Sequence, residues 1–437
     1  MNPDLARWRA QLSPQQPALH AGGRWWNYAE LDARADRLAT ALRSKGLGHG
    51  DRVAILAQNH LAHFDLMLAA PRCGCIPVPF NHRLSLGEQK ALAADIAPSL
   101  WLHDSAHAQV VKALPGPAIA LGSDYEEWLQ SSPPAARAEA VVSAEDTALI
   151  LFTGGSTGRP KGAQISYRQQ FYNAINTLCG WGLSAEDSVI QATPCFHAAV
   201  NALATPLLHA GGRVVLMPQF DPCSYLQAVR EHRISLLFLV PTMYQMLSEA
   251  KAFPQADFGS VRWAISGGAP CPAPVREAFV ARGVRFRQGY GMTEAGVNCF
   301  AISLDEAAAY PESVGRPMPH TQAVIRSAEG LPVEDGEAGE LTLAGPHLFS
   351  GYYGRASETA ATLKEGWLWT GDLATRDSAG RFRICGRRKE MFISGGENVY
   401  PAEVEAALLA QAEVAEAAVV GIPDARWGES GLAFVVS

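Results

Sequence analysis

The sequence predicts an α/β protein: a large N-terminal domain of βαβ layers with a β-rich subdomain, followed by a small α+β unit at the C-terminus. Three observations carry that expectation. As far as residue 286, compact apolar runs alternate with helical patterns, which is how parallel strands covered on both faces read. Beyond about residue 313 the segments shorten, alternate and turn on Gly and Pro. The 437 residues, 48% of them apolar, suffice for a large core and, at roughly 150 residues per domain, for about three structural units.

In chain order, residues 28–42 place Leu31, Ala35, Leu38 and Leu42 on one face and run into Gly46 and Gly48, an amphipathic helix with a glycine stop. A strand at 53–56 follows, and similar runs recur at 148–152, 214–217, 236–240, 263–265 and 284–286. The Ala-rich stretch 133–142 reads as a linker. Alternating segments at 322–325 and 340–343 open the β-rich part, and 367–373 with 381–385 form a hairpin across the polar turn 377–380. A helix at 401–409 begins on Pro401, a strand follows at 418–422, and the last run is 432–436. Residues 1–387 are therefore expected to form the large domain, β-rich from about 313. Residues 388–437 read as the start of a small, incomplete domain, because a remnant of about 50 residues is marginal as a core and ends on an unpaired edge.

Lys and Arg number 36 against 43 Asp and Glu, a formal charge of −7, so no global positive field attracts nucleic acid or an anionic membrane. No apolar run approaches the roughly 18 residues of a spanning helix, and the N-terminus lacks a secretory apolar stretch. The expected compartment is the cytoplasm. The eight cysteines are scattered without a CxxC pair and read as reduced thiols.

The strongest local signal is FTGGSTGRPKG at 152–162, directly after an apolar run. Thr153 and Gly154 open it; Gly154, Gly155 and Gly158 let backbone approach an anion, Ser156 and Thr157 offer hydroxyls, and Lys161 offers a point charge. An ATPase-type P-loop is excluded by spacing, since Pro160 precedes the lysine and Gly162 follows it. Further segments are SGGAP at 266–270, QGYGMTEAG at 288–296, WTGD at 369–372 and GRRKEMFISGGENVYPAEVE at 386–405. Taken alone, several have ordinary readings: Glu294 as a helix-start carboxylate, Asp372 as a turn former, Gly267, Gly268 and Ala269 as tight packing, His197 as a core histidine and Lys389 as surface.

Together and in this order, the five segments resemble the AMP-forming adenylating enzymes: acyl-CoA and aryl-CoA synthetases, luciferases, and the adenylation domains of peptide synthetases. The CoA ligases are nearest. The resemblance implies ATP, Mg²⁺ and coenzyme A. A carboxylate would be converted to an acyl-adenylate and then to a thioester. Lys161 and the loop would hold phosphates, Thr293 would bind the α-phosphate and Glu294 would ligate Mg²⁺. Gln288, Gly289, Tyr290, Gly291 and Met292 would line the nucleotide site with Gly268 and Ala269. Tyr290 would present its ring to adenine, Asp372 would accept the ribose hydroxyls, and Arg387 would contact the ribose-phosphate region. Lys389 falls at the family's hinge, and Gly395 and Gly396 would line a pantetheine tunnel in a second orientation of the small domain.

His197 occupies the family's aromatic-histidine position beside the carboxylate path. Peptide-synthetase domains place an aspartate there to pair with an ammonium. Here Ala198, Ala199 and Val200 follow the histidine, and a buried ammonium without a counter-charge is costly, so an α-amino acid is disfavoured; the apolar small-residue pocket and the similarity of the SGGEN block to that of aryl-CoA ligases imply an aromatic or medium-sized apolar acid. The family's C-terminal lysine has no match in this sequence, which is read as truncation. The alternatives left open are loading of a carrier protein and an acyl-AMP-binding protein without full turnover. A homodimer is one option for the assembly. No nucleic-acid or membrane partner is expected.

Overall fold

The computed structural model describes residues 2–133, 141–154, 159–395, 397–411, 413–424 and 426–436. The expected linker falls mostly outside them, at 134–140, as do Gly155, Ser156, Thr157 and Gly158 of the glycine-rich loop, and Gly396.

Two parallel sheets form the α/β part. The larger has seven strands in the order Phe286–Gln288, Trp263–Ser266, Leu236–Leu239, Ser188–Gln191, Arg213–Leu216, Pro17–Ala21 and Arg24–Asn27, and only the last pair is antiparallel. Its strands are apolar on both faces. Leu236, Trp263 and Ile265 pack into one core, while Leu237, Leu239 and Ala264 pack into another on the opposite face, as the period of two requires. The smaller sheet orders Ile76–Pro79, Arg52–Leu56, Leu100–His103 and Ala118–Ala120, all parallel. Between the sheets in sequence, the helix Tyr28–Ser44 starts on a reciprocal cap: the Asn27 side chain accepts from the Glu30 N–H at 2.8 Å and Glu30 accepts from the Asn27 N–H at 2.8 Å.

Two strand expectations need correction. The run at 148–152 is not a βαβ strand. It lies in Thr147–Thr153, which pairs antiparallel with Lys161–Ser166 and sets Thr153 opposite Lys161. The intervening seven residues, 154–160, are too few for the crossover a parallel pair requires, so the two strands that flank the glycine-rich segment pair as a hairpin. The strand expected at 284–286 instead runs Phe286–Gln288, because the Val284 N–H is committed to the Phe279 carbonyl at the end of the preceding helix.

The β-rich part is an antiparallel sheet of Gln322–Arg326, Gly339–Ala344, Trp367–Arg376, Leu363–Lys364 and Phe382–Arg387 over Ile325, Leu341, Leu343, Leu368 and Phe382. The expected hairpin is present; Asp377 closes its turn by accepting from the N–H groups of Ala379 and Arg381. Last come the helix Pro401–Leu409 and an antiparallel sheet of Phe392–Ser394, Glu397–Val399, Glu416–Asp424 and Gly428–Val436. This α+β unit meets the rest through ion pairs such as the exposed Arg383–Glu403 at 3.3 Å and Arg388 with the buried Glu340 at 3.1 Å. All eight cysteines are free, with only Cys179 and Cys223 exposed. Among the described residues no helix is long and apolar enough to cross a membrane.

Candidate active site

The carboxyl ends of the two outermost parallel strands carry the site. Ser266 leads into Gly267 and Gly268, and Gln288 leads into the 289–296 turn; the Gly289 N–H donates to the Ser266 carbonyl at 2.8 Å and ties the two together. Backbone must pass close here. A Cβ on Gly291 would fall 2.1 Å from the Val297 carbonyl oxygen, and Gly268 sits at φ +87°. These small residues leave a cavity of about 640 Å³. Trp181, Ile265, Phe238, Val240 and Met243 form apolar walls, and Gly267, Gly268, Gly291 and Thr293 lie along the strand ends. No Asp or Glu among the described residues lines it.

His197 opens into this cavity together with His82 and Arg83. Its ring lies 5.1 Å from that of Phe196, which meets His82 edge-on at 5.3 Å; His82 lies 5.4 Å from His107, whose Nδ1 is 2.6 Å from Asp104. Removal from water and the neighbouring Arg83 cation both hold the His197 imidazole below its ordinary pKa.

Beside the cavity the hairpin of the β-rich sheet pairs Asp372 with Arg387 across its two strands. The buried Asp372 accepts from the Tyr290 hydroxyl at 2.5 Å and forms an ion pair with Arg387, whose Nε lies 2.9 Å from its carboxylate. Burial pushes its carboxyl up, opposed by the Tyr290 hydrogen bond and the Arg387 charge. Tyr290 is raised well above the usual phenol range, first by burial and then by the Asp372 charge. Its ring meets Phe300 edge-on at 5.8 Å.

Glu294 lies one turn away in a short 3-10 segment, 5% exposed. It accepts from the Tyr352 hydroxyl at 2.7 Å, and no Lys or Arg among the described residues pairs with it. Tyr352 sits on the strand that pairs with Lys161–Ser166, and its ring lies 5.1 Å from Lys161 Nζ. Thus one aromatic side chain touches the lysine of the hairpin and the carboxylate of the turn. The Thr293 carbonyl is fixed by the Gln169 side-chain amide at 2.9 Å, leaving its side chain along the cavity.

A family model described as "AMP-binding enzyme" matches residues 6–353, and one described as "AMP-binding enzyme C-terminal domain" matches 403–437. The chain belongs to the AMP-binding enzyme family. Feruloyl-CoA synthase of Amycolatopsis sp is 40% identical over 100% of this chain and 89% of the relative. Indoleacetate–CoA ligase of Aromatoleum aromaticum is 35% identical over 99% and 88%. The structure of o-succinylbenzoate coenzyme A synthetase from Bacillus subtilis in complex with ATP and magnesium ion matches with a TM-score of 0.88 at 30% identity, over 99% of this chain and 89% of that one. Like these neighbours, this AMP-binding enzyme has a large N-terminal and a small C-terminal domain.

Of the residues singled out from the sequence of this AMP-binding enzyme, Lys161, Thr293, Glu294, Tyr290, Asp372, Arg387, His197, Gly268, Gly289, Gly291 and Met292 come together around the cavity and its rim. Others point elsewhere. The Gln288 amide is spent on the Cys271 N–H and the Pro311 carbonyl. Ala269 and Lys389 are exposed, and Gly395, at φ +61°, donates its N–H to the Trp427 carbonyl at 2.8 Å; none of the three lines the cavity. Sequence reasoning missed Tyr352, Trp181, His82 and Arg83. The SGYYG run at 350–354 and the NHRLS run at 81–85 were the available signals.

Proposed function

We propose that the chain is a Mg-ATP-dependent carboxylate–CoA ligase for an aromatic or medium-sized apolar acid. A carboxylate is a poor acyl donor because its oxygen leaves badly. In the first half-reaction a carboxylate oxygen attacks the α-phosphorus of ATP and pyrophosphate leaves, giving an acyl-adenylate. In the second, the thiol of coenzyme A attacks the acyl carbon, the thiol proton is lost and AMP leaves.

Each half poses a charge problem that this chain's residues answer. Two anions must meet in the first, so the hydroxyl of Thr293 holds the α-phosphate and Lys161 the outer phosphates, in a pocket whose apolar walls strengthen both contacts. Glu294 is a buried carboxylate that accepts from a phenol and has no Lys or Arg partner among the described residues, a hard oxygen donor, and that fits Mg²⁺ held by one carboxylate together with substrate phosphates. The ion would offset phosphate charge. Asp372, steadied by Tyr290 and Arg387, accepts the ribose hydroxyls. Arg387 swings between Asp372 and the ribose-phosphate region.

The acid lies along Trp181, Phe238, Val240 and Met243, with its carboxylate toward Thr293 and His197. The lack of any acidic side chain along these walls among the described residues argues against an α-amino acid. Residues 388–437 act as the movable small domain, hinged at Lys389, with Gly395 and Gly396 lining the thiol's path in its second orientation.

The observation that carries this reading is the joining of Tyr290–Asp372–Arg387 and Glu294–Tyr352–Lys161 on one rim of an apolar cavity. Carboxylate-dependent exchange of labelled pyrophosphate into ATP tests it across a panel of aryl and acyl acids. Exchange followed by thioester release with coenzyme A is the expected result. Transfer only to a carrier protein would make it a carrier-loading enzyme, and tight binding of an acyl-AMP mimic without exchange would leave it a binding protein.

A further inference from the structure

Behind the acyl cavity, the buried Trp181 also borders a second space. It and Trp263 border a separate open cleft of about 450 Å³ that also takes in Arg262, Arg285, Arg287 and Leu304. The cleft lies at the amino ends of the strands Trp263–Ser266 and Phe286–Gln288, opposite the end that carries the adenylation residues.

Its charge does not balance. Arg262 grips Asp187 with both carboxylate oxygens at 2.6 Å, and Arg285 reaches Asp305, whose side chain is 95% exposed. Arg287 has no carboxylate among the described residues. It is 4% exposed, lies over the Trp263 ring at 4.2 Å, donates one bond to the Ile302 carbonyl at 3.2 Å, and keeps a buried Nε with no partner. Burial, with the charges of Arg262 and Arg285 added, lowers its guanidinium to about 10, still protonated at neutral pH. The buried guanidiniums of Arg72 and Arg34, by contrast, are bonded to Asp4 and to Asp65. Leaving a cation buried without a counter-charge is costly, and one negative charge would neutralise the cleft.

We propose that this cleft is a second ligand site, one that binds a monoanionic carboxylate with an aromatic or apolar body. The carboxylate is held by Arg287 and Arg285 and the body lies against Trp181 and Leu304. Two planar guanidiniums suit a planar two-oxygen anion. Because Trp181 is also a wall of the acyl cavity, occupancy of the cleft is felt by the acid in that cavity. The site therefore senses the same chemical class as the substrate proposed above, but its existence rests on Arg287 and not on that reading.

The test is binding of 4-fluorobenzoate to the full chain, followed by fluorine NMR, with the acyl cavity blocked by a non-hydrolysable acyl-AMP mimic. A saturable site should remain in the blocked protein. Arg287→Met should abolish it, and Arg285→Gln should weaken it by roughly threefold to tenfold, as for loss of one exposed charged contact. Both variants should keep the native circular dichroism and still bind the mimic. Arg285→Gln, at an exposed position, keeps the test valid if Arg287→Met does not fold. No residual site in the blocked wild type, or unchanged affinity in Arg285→Gln and Arg287→Met, overturns the proposal. Displacement by inorganic phosphate at lower concentration than by acetate would also overturn it, since the cleft would then select phosphate. Failure of the mimic to displace any 4-fluorobenzoate would count against the acyl-cavity reading alone.

Discussion

Asp372 shows how a single side chain is kept ready at a cost. Its pKa is raised by burial, so the ionised form is held against desolvation by Tyr290 and Arg387. A carboxyl raised in the folded state favours folding while protonated and loses that contribution as pH climbs past the unfolded value near 3.8. Asp372→Asn should therefore leave the melting temperature at pH 7 unchanged or higher, while pyrophosphate exchange falls by about 10–100-fold, the loss of a charge-assisted pair of ribose contacts. Paired melting curves and exchange rates check it; lower stability with full activity would refute the assignment. Tyr352→Phe removes the donor to Glu294 but keeps a ring beside Lys161, so the Mg²⁺ concentration for half-maximal exchange should rise about threefold to tenfold with little change in fold. His197 has the opposite sign to Asp372. Its lowered pKa favours folding above about 6.5 and loses that contribution as pH falls through the folded value. The thioester step should accordingly stay flat down to pH 6.5 and fall only below it, a limb that His197→Gln should remove. At this scale the sequence was legible where residues share a motif, as Tyr290 and Glu294 do. Tyr352 is brought to the site by strand pairing, while Trp181, at the end of the helix Tyr167–Trp181, and His82 and Arg83, in a turn, reach it from distant segments through tertiary packing.

Elements were legible where periodicity decided them and obscure where pairing did. The helix expected at 28–42 is found as Tyr28–Ser44, and the hairpin at 367–385 closes on the expected turn. The run at 148–152 was misassigned because a continuous apolar strand has the same pattern in a βαβ unit and in a hairpin buried on both sides. That difference has a functional consequence: the antiparallel strand pair holds Lys161 opposite Thr153, with the ring of Tyr352 against it, where a strand-loop-helix would aim backbone dipoles instead. The turn 289–296 has little tolerance for added bulk. Gly291→Ala places a Cβ 2.1 Å from a carbonyl oxygen, and the turn must shift to make room. The expected cost is about 1–3 kcal/mol of stability, as for overpacking, with a larger proportional loss of exchange because Thr293 moves too. Urea midpoints against exchange rates separate the two effects, and a variant with wild-type values in both would show that the turn relaxes freely.

For the molecule as a whole, the two half-reactions need different surroundings at one cavity: phosphates gripped in the first, a path for a thiol in the second. The α+β unit from 388 onward is attached by pairs such as Arg383–Glu403, with side chains 49% and 46% exposed. Exposed pairs of this kind contribute about 0–1 kcal/mol each and are screened by salt. The chain between the two parts passes through Arg388, whose N–H donates to the Gly371 carbonyl at 2.8 Å next to Asp372. A change of orientation at Lys389 would therefore be felt at once by the residue proposed to hold the ribose. If a few backbone torsions there switch the reactions, Lys389→Pro should separate them. Proline fixes φ at 389 and confines residue 388 to extended conformations, so only one orientation stays accessible. Acid-dependent pyrophosphate exchange should remain within about threefold of the wild type, while thioester formation from preformed acyl-adenylate and coenzyme A should drop by about tenfold or more. Lys389→Ala, which removes the charge but not the torsional freedom, should leave both within about twofold. Equal losses of the two half-reactions in Lys389→Pro would mean that both proceed in a single arrangement of the domains. Equal losses in Lys389→Ala would mean that the ammonium, and not the hinge, is what the reactions use.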